Sequence, residues 1–375
     1  MASSMSAGRG APHIDMPLLL VVVVLSAIGV VNLYSATSAY VGDTSGHGAL
    51  AGIYVTQIYW IVVGLLLAML VAAIDYRHFE RLAPILYVGG LLVLSSVFVL
   101  ATDVRGSSRW IRFGTFTFQP SEFMKPLIVL MVARHIQNDA KVEERTLVDL
   151  AAPLFFTAVP VILVMLQPDL GTSLIYLMSA LTMLAITRIR TGSVIWGAAL
   201  SIGASLLMWN FGMKDYQKAR ITSFIDPLKD KQGTGWHAFQ AQTAIGNGGL
   251  SGEGFMQGTQ NQFRFLPDQH SDFPFAVFAE EFGFLGCVGL ILLYGFLSIW
   301  AVHIASQAKD RFGAALAIGS GAVIFWHAVF NLGMSMGVLP VVGVTLPLFS
   351  YGGSSLVTML FCLGLLMSVS MRRSG

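Results

Sequence analysis

The sequence predicts an all-α polytopic membrane protein with ten transmembrane helices and a large extracytoplasmic loop between helices 7 and 8. Three observations support this prediction. Charged residues make up only 11% of the chain, whereas a typical soluble domain contains about 25%. Hydrophobic residues make up 55%, and the mean hydropathy is +0.71. The apolar residues also recur in runs of about 20, the length that crosses a hydrocarbon core of about 30 Å.

These runs place the ten spans in order along the chain, as parts of one integral-membrane domain, 1–375. The spans are roughly 17–36, 53–74, 82–101, 120–136, 149–166, 169–187, 193–212, 273–302, 312–336 and 351–371. The fourth is short and contains two charged residues, so it is the weakest of the ten. The run after the tail 1–16 is longer than the apolar region of a signal peptide, about 7–15 residues, and is interpreted as a retained helix.

The distribution of Lys and Arg predicts the orientation of the chain. Twelve of them fall at the connections on the side of the two termini, against three in the short loop 102–119 on the other side. Because positive residues stay on the cytoplasmic side, both termini are predicted to be cytoplasmic, and segment 213–272 extracytoplasmic.

The net charge is only +2 and the basic residues are scattered along the chain, which argues against a nucleic-acid partner. Cys287 and Cys362 lie in apolar runs and are interpreted as core residues.

The long segment 213–272 contains aromatic and aliphatic residues among its glycines, which is typical of a binding loop or lid rather than a linker. Within it, Trp236–Ile245 is expected either to lie along the membrane interface or to re-enter. The alternative is a domain that only caps the bundle. The stretch Gly258–Gly283 covers the end of segment 213–272 and the start of the next predicted helix. It contains the densest set of reactive side chains: Arg264, Asp268, His270, Asp272, Glu280 and Glu281.

Asp272 precedes the eighth predicted helix and has two compatible interpretations. Asp is a favoured N-cap, and its carboxylate suits the positive end of a helix. A carboxylate fixed in this way at the water boundary would also be placed to act as a general base. The helix that follows is about 45 Å long at 1.5 Å per residue, so Asp272 is expected at or above the outer interface. Glu280 and Glu281 lie deeper, where buried charges need partners.

Glu122 and Lys125 are three residues apart and therefore share a helix face. They either form a self-satisfied ion pair in the bundle wall, or Lys125 meets a phosphate while Glu122 orients it or helps to hold a cation. Arg105, Arg109, Trp110 and Arg112 precede this helix. They are either interfacial anchors or a clamp for an anionic head group, with Trp110 stacking on a sugar.

Two further segments contain candidate residues. Asp169, in a tight turn between two predicted helices, is an N-cap or a functional carboxylate. The stretch Ser350–Ser355 contains two glycines that would let the backbone approach a ligand or a neighbouring helix closely. As a phosphate cradle this stretch is a weak signal, because it lacks the Walker spacing and its lysine.

Four motifs resemble those of the SEDS family (shape, elongation, division and sporulation), in the family's order along nearly the whole chain. They are Phe118–Glu122 (FQPSE), Gln167–Ser173 (QPDLGTS), Leu266–Phe273 (LPDQHSDF) and Leu346–Ser354 (LPLFSYGGS). Gly258–Gln262 (GTQNQ) resembles the elongation branch rather than the division branch. Ser271 stands where the family often has Thr, and Phe349 where it often has Val; both differences are mild.

The resemblance implies a peptidoglycan glycosyltransferase with ten membrane helices in the bacterial cytoplasmic membrane, active in cell elongation. It would polymerise lipid II into β-1,4 glycan strands at the outer face, with inversion and with undecaprenyl pyrophosphate as the leaving group. Asp272 would match the essential aspartate, and Trp110, Glu122, Lys125 and Asp169 would match positions around the cavity. Arg109, His270, Ser350 and Ser354 complete the substrate-binding candidates.

The resemblance also implies a divalent cation, Mg²⁺ or Mn²⁺, for which no ligands are assigned. Its expected partners are lipid II, the nascent glycan strand, a class B penicillin-binding protein as transpeptidase, and other membrane proteins of the elongation complex. Two alternatives stay open. A lipid II flippase or transporter would place polar residues through the midplane, and a non-catalytic scaffold would tolerate the loss of Asp272.

Overall fold

The computed structural model describes residues 14–38, 52–104, 107–114, 116–139, 143–213, 215–225, 234–263, 265–266 and 269–373. The candidate residues Arg105, Arg264 and Asp268 lie outside these ranges. So do Arg9 and Lys141, two of the twelve basic residues on which the predicted orientation rests. Within the described ranges the chain is mainly helical. The helices are α1 (Met16–Ser38), α2 (Ile53–Ala73), α3 (Tyr76–Leu100), α4 (Pro120–Asn138), α5 (Leu147–Leu166), α6 (Leu170–Ala185), α7 (Thr191–Leu207), α8 (Asp215–Ile225), α9 (Thr234–Asn247), α10 (Thr259–Gln262), α11 (Pro274–Ser306), α12 (Arg311–Ser335) and α13 (Gly353–Ser370).

A helix coincides with each of the ten predicted spans, and the chain is a multi-pass membrane protein. Eight helices in the described part of the chain are long and apolar enough to cross a membrane. For the seventh span this includes a π-helical turn, Met208–Gly212, that follows α7. The other two predicted spans correspond to α4, which contains the buried Glu122 and Lys125, and to α6, which has only 16 residues. The total of ten spans therefore stays a prediction.

The helix starts follow from local side-chain chemistry. Asp75 accepts a hydrogen bond from the Arg77 backbone N–H at 3.0 Å and caps α3. Asp310 caps α12 through the Gly313 N–H at 2.7 Å. Such caps satisfy backbone donors that have no partner within the helix. At α4, Pro120 occupies the first turn, where its missing N–H costs nothing.

The core of the bundle lies around α12 and α13, which are buried along most of their length. Helix α2 packs against α13, and α4 packs against both α3 and α12. By contrast, α7 has a single buried residue, Ser193, and presents large apolar side chains such as Trp196 at its surface. In a bilayer such apolar side chains are stable without protein contacts, because lipid tails are equally apolar.

The all-α prediction is wrong for the short loop between α3 and α4. This loop forms a three-stranded antiparallel sheet in the order β1 (Thr102–Val104), β2 (Ser107–Phe113) and β3 (Phe116–Phe118). Ile111 lies opposite Phe118, and Phe113 lies opposite Phe116. The β-branched and aromatic residues of this loop favour strands, and a tight turn at Gly114, with φ of +61°, reverses the chain.

Helix α11 is interrupted at Gly283, so the prediction of one continuous eighth helix needs correction. Gly283 has φ of +64° and ψ of −165°, which breaks the helical path. Segment 248–254 supplies donors at this point: the Glu253 N–H bonds the Glu280 carbonyl at 2.9 Å, and the Gly254 N–H bonds the Glu281 carbonyl at 3.1 Å. The part of α11 before Gly283 is buried almost throughout, whereas the part after it has one buried face, with Leu290 and Leu297, and one exposed face, with Phe284 and Leu285.

The described parts of segment 213–272 form α8, α9 and α10, and α9 packs against α11 and α12 of the bundle. The predicted interfacial or re-entrant stretch Trp236–Ile245 forms most of α9. Its fully buried Ala241 and Ala244 pack into one cluster with Phe273 and Val277, at the start of α11. Small side chains at these positions let α9 approach α11 closely, which positions the chain that leads into Asp272.

Glu280 and Glu281 are buried and accept hydrogen bonds from uncharged groups. The Glu280 carboxylate accepts hydrogen bonds from the Thr259 hydroxyl at 3.1 Å and from the Gln260 backbone N–H at 3.1 Å. The Glu281 carboxylate accepts a short hydrogen bond from the Ser35 hydroxyl. The two acids therefore join the 248–262 region, α1 and α11 through neutral donors, while Glu281 Oε2 is buried without a hydrogen-bond partner in the part of the chain that the structure describes.

Candidate functional site

A cavity of about 880 Å³ opens between the small sheet, the start of α4 and the segments that precede α11 and α13. Its wall contains side chains from parts of the chain that are far apart in sequence. The predicted site residues in the wall are Arg109, Trp110, Glu122, Asp169, His270, Asp272 and Ser354. The four SEDS-like motifs therefore meet around one space, and this is where a substrate with several polar groups could bind.

Asp272 lines the cavity but does not cap α11. The capping position belongs to Phe273, which makes no side-chain capping hydrogen bond, and Pro274 takes the first helical turn. The N-cap interpretation of Asp272 is therefore wrong. Its backbone carbonyl accepts a hydrogen bond from the Asn331 side-chain amide at 2.9 Å. The same amide donates to the Val344 carbonyl at 2.7 Å. Asn331 thus holds Asp272 against the 342–346 segment.

A second backbone contact fixes the approach to Asp272. The His270 carbonyl accepts a hydrogen bond from the Tyr351 N–H at 2.9 Å. The His270 and Tyr351 rings lie 6.2 Å apart between centroids, and both residues line the cavity. Burial raises the pKa of the Tyr351 phenol, so this group stays neutral at physiological pH. The backbone at Asp272 is consequently fixed by two hydrogen bonds, one to the His270 carbonyl and one to the Asp272 carbonyl.

Glu122 and Lys125 form the predicted ion pair, with 2.7 Å between the Lys125 Nζ and Glu122 Oε2 atoms. The Lys125 side chain is only 1% exposed and the Glu122 side chain 8% exposed. Glu122 lines the cavity, and Lys125 lies behind it, outside the wall. The side chain that meets a ligand in this conformation is therefore the carboxylate, with the ammonium compensating its charge.

Asp169 caps α6, as one of its two interpretations predicted. Its Oδ1 atom accepts from the Thr172 N–H at 3.1 Å, and its Oδ2 atom accepts from the Thr172 hydroxyl at 3.0 Å and from Gln119 Nε2 at 3.3 Å. The Arg109 guanidinium lies 3.5 Å from Oδ2 and also donates to the Pro168 carbonyl. Asp169 therefore fixes Arg109 in the cavity wall, and most of its own acceptor capacity is used.

The two serine candidates have different positions. Ser354 lines the cavity, and its hydroxyl accepts from the Gln119 N–H at 3.3 Å. Ser350 lies outside the wall: its hydroxyl accepts from the Leu346 N–H at 2.8 Å, and its carbonyl accepts from Gln57 Nε2 at 2.9 Å. Ser350 thus shapes the turn before α13, while Ser354 joins that helix to the start of α4.

Sequence reasoning missed a group of residues that complete the wall. They are Thr56 and Trp60 on α2, His327 on α12, and Gly343, Val344 and Thr345 on the segment after α12. A signal for α12 existed, because His327 and Asn331 are polar residues four apart in an apolar span. Polar groups within membrane helices are functional candidates by default.

The cavity wall was expected to contain the ligands of the divalent cation that the family resemblance implies. Among the described residues, no three His, Cys, Asp or Glu side chains are grouped closely enough to hold a metal ion. Mg²⁺ commonly uses one or two carboxylates and completes its shell with water and substrate phosphates. Because Asp169 is largely occupied, Glu122 and Asp272 are the wall carboxylates that suit this role.

Comparison with known proteins identifies the relatives of this chain. Residues 16–375 match the family model of the cell cycle proteins FtsW, RodA and SpoVE. The chain is 37% identical over 363 residues to the peptidoglycan glycosyltransferase MrdB of Escherichia coli K12, covering 96% of this chain and 94% of MrdB. It is 31% identical to the peptidoglycan glycosyltransferase RodA of Treponema pallidum, covering 97% and 99%.

Two solved structures have the same fold. One comes from a study of how a peptidoglycan synthase complex coordinates polymerization and crosslinking; its chain matches with a TM-score of 0.80 and 32% identity, over 96% of this chain and 98% of that one. The other is the rod shape determining protein RodA of Thermus thermophilus, with a TM-score of 0.70 and 29% identity, over 96% and 98%. The likeness thus extends over nearly the full length of each chain.

Proposed function

Since the chain belongs to the SEDS family of FtsW, RodA and SpoVE, we propose that it is a peptidoglycan glycosyltransferase that polymerises lipid II at the outer face of the cytoplasmic membrane. One observation carries the proposal: the four family-like motifs converge on a single cavity, and Asp272 lies in its wall. The elongation-type stretch Gly258–Gln262 and the RodA and MrdB relatives support a role in cell elongation.

Asp272 is the proposed general base of the reaction. It would take the proton from the acceptor's sugar hydroxyl while that oxygen attacks the anomeric carbon of the donor. A general base must first be positioned, and the backbone contacts from Asn331 and Tyr351 supply this positioning. Attack opposite the leaving group converts the α-linked donor into a β-1,4 linkage in one displacement, with undecaprenyl pyrophosphate as the leaving group.

Cationic groups on the far side of the reacting bond would stabilise the leaving pyrophosphate. Arg109 is the cationic side chain in the wall, and Asp169 holds it in place. Because its guanidinium forms several parallel hydrogen bonds, it suits a phosphate ligand. Glu122 would contribute a carboxylate oxygen to a divalent cation, which would neutralise the developing negative charge. Trp110 offers an indole surface for stacking on a sugar.

The flippase alternative loses its main support in this structure. It predicted polar residues through the midplane, and Glu280 and Glu281 were the candidates for such a path. Both are almost completely buried and bonded to the loop that precedes Asp272 and to α1, and neither lines the cavity. The scaffold alternative needs no reactive carboxylate in the cavity wall. The enzyme and the scaffold therefore differ in the effect that they predict for the loss of Asp272.

We propose a class B penicillin-binding protein as the transpeptidase partner. The matching synthase structure, in which polymerization and crosslinking are coordinated, supports this proposal. The nascent glycan strand and other membrane proteins of the elongation complex complete the proposed partners. The orientation with both termini in the cytoplasm follows from the distribution of Lys and Arg.

The test is an Asp272→Asn variant, purified and incubated with lipid II in the presence of Mg²⁺ or Mn²⁺. Loss of the base predicts that glycan strands disappear from the gel, while binding of the lipid II head group is largely retained. Asp75→Asn is the matched control, because it makes the same chemical change at a helix cap outside the cavity. Equal strand formation by the Asp272→Asn variant and the parent would contradict the proposed role of Asp272.

A further inference from the structure

The imidazole of His327 is a polar group in the cavity wall that the mechanism above does not use. His327 lies on α12, is 1% exposed and lines the cavity. Its Nδ1 atom is 3.1 Å from the Thr345 backbone carbonyl. Because a carbonyl oxygen can only accept, Nδ1 carries the hydrogen of this contact. The tautomer is thereby assigned, and in the neutral ring Nε2 is left as an acceptor.

The Nε2 atom is buried and has no hydrogen-bond partner in the part of the chain that the structure describes. A buried polar atom of this kind requires an explanation, since buried acceptors are nearly always satisfied. A protonated ring would place an unpaired charge in the same position, which is more costly still. The neutral ring with an open acceptor at Nε2 is therefore the state that the geometry favours.

We propose, on the basis of the function proposed above, that Nε2 of His327 accepts a hydrogen bond from a hydroxyl or acetamido N–H group of the lipid II sugars. His327 is then a substrate-binding residue on the α12 side of the cavity. Arg109 contributes hydrogen-bond donors to the cavity wall, and His327 adds an uncharged acceptor on the α12 side.

The neighbouring Asn331 differs from His327 in a way that sharpens the inference. Asn331 lies one helical turn further along α12, and its amide is engaged with two backbone carbonyls, those of Asp272 and Val344. It is a positioning residue and does not line the cavity, although its Oδ1 atom is also buried without a hydrogen-bond partner among the described residues. His327 makes one such contact, with Thr345, and it does line the cavity. An unpartnered acceptor on a residue of the cavity wall is therefore the feature that Asn331 lacks.

Two substitutions separate the two ring nitrogens. In His327→Asn the amide N–H replaces Nδ1–H toward Thr345, and the acceptor at the Nε2 position is lost. In His327→Gln the amide reaches the Nε2 position and supplies an acceptor oxygen there, while the Thr345 contact is lost. The proposal predicts that His327→Asn raises the KM for lipid II about threefold to tenfold, the effect of one lost hydrogen bond. The His327→Gln variant should stay closer to the parent.

Fluorescent lipid II binding to each purified variant gives a second measurement that is independent of turnover, and thermal unfolding checks that each variant is folded. The expected result is the same ranking in the dissociation constant, with His327→Asn weakest. A dissociation constant for His327→Asn equal to that of the parent would overturn the proposal, and would indicate only a bound water at Nε2. A larger loss in His327→Gln would also overturn it. Failure of the parent to form strands, by contrast, would count against the proposed function.

Discussion

Replacing Lys125 by Met tests how the ion pair behind the cavity wall contributes to folding. The ammonium and the Glu122 carboxylate are 2.7 Å apart, and their side chains are 1% and 8% exposed. Removal of one partner leaves the other as a buried, uncompensated charge. Such losses cost about 3–5 kcal/mol. Because Glu122 also borders the cavity, water reaches it more easily than a fully enclosed group, and we expect the lower end, about 3 kcal/mol.

A loss of about 3 kcal/mol changes the unfolding equilibrium constant by roughly a hundredfold. Equilibrium unfolding of the purified protein in mixed detergent micelles, followed by tryptophan fluorescence, measures this change. Arg77→Met is the matched control, because the Arg77 side chain is 55% exposed and pairs with Asp310 at 3.3 Å. Exposed pairs of this kind contribute about 0–1 kcal/mol, so the control should unfold almost as the parent does.

The double variant Lys125→Met with Glu122→Leu removes both charges at once. An apolar replacement of a buried pair is commonly neutral or stabilising, so its unfolding free energy should return to within about 1 kcal/mol of the parent. Strand formation should not return, since the Glu122 carboxylate lines the cavity. The reasoning is refuted if the double variant is no more stable than Lys125→Met alone, or if Arg77→Met is equally destabilised.

Two further predictions concern the bundle and the cavity wall. In Gly29→Val the new Cβ would lie 2.7 Å from the Phe349 Cα and 2.8 Å from the Leu348 carbonyl, and because backbone cannot move aside, a loss of about 1–3 kcal/mol is expected. Gly89→Ala meets nothing within 4 Å and should unfold within about 1 kcal/mol of the parent; similar unfolding of both variants would contradict the packing argument. Asp169→Ala should lose about 1 kcal/mol with the α6 cap and, by releasing Arg109, raise the KM for lipid II; an unchanged KM would show that Arg109 needs no such support.

Much of the fold could be predicted because membrane composition leaves few alternatives. Apolar runs of the required length placed a helix at each predicted span. The i, i+3 spacing of Glu122 and Lys125 predicted their contact, and the cap at Asp169 followed from its position in a tight turn. Each of these predictions depends on residues that are close together in the sequence, so the sequence alone is sufficient to make it.

The missed features depend on how distant segments meet. A glycine in an apolar helix does not reveal that a loop will supply hydrogen bonds to its neighbours, so the break at Gly283 was not foreseen. His327 and Asn331 were overlooked because helical periodicity does not distinguish a protein-facing side from a lipid-facing side within a membrane. Asp272 was placed one residue too close to α11, since Phe273 occupies the capping position ahead of Pro274.

The interruption at Gly283 has a mechanical consequence. A continuous rod of 33 residues would transmit every tilt of its lipid-facing part to the residues at its other end. At the break, segment 248–254 is joined to both pieces of the helix: its N–H groups donate to the Glu280 and Glu281 carbonyls, and its carbonyls accept from the Phe284 and Leu285 N–H groups. Helix and loop therefore form one unit at Gly283, and the placement of the reactive carboxylate depends on this junction as well as on its own neighbours.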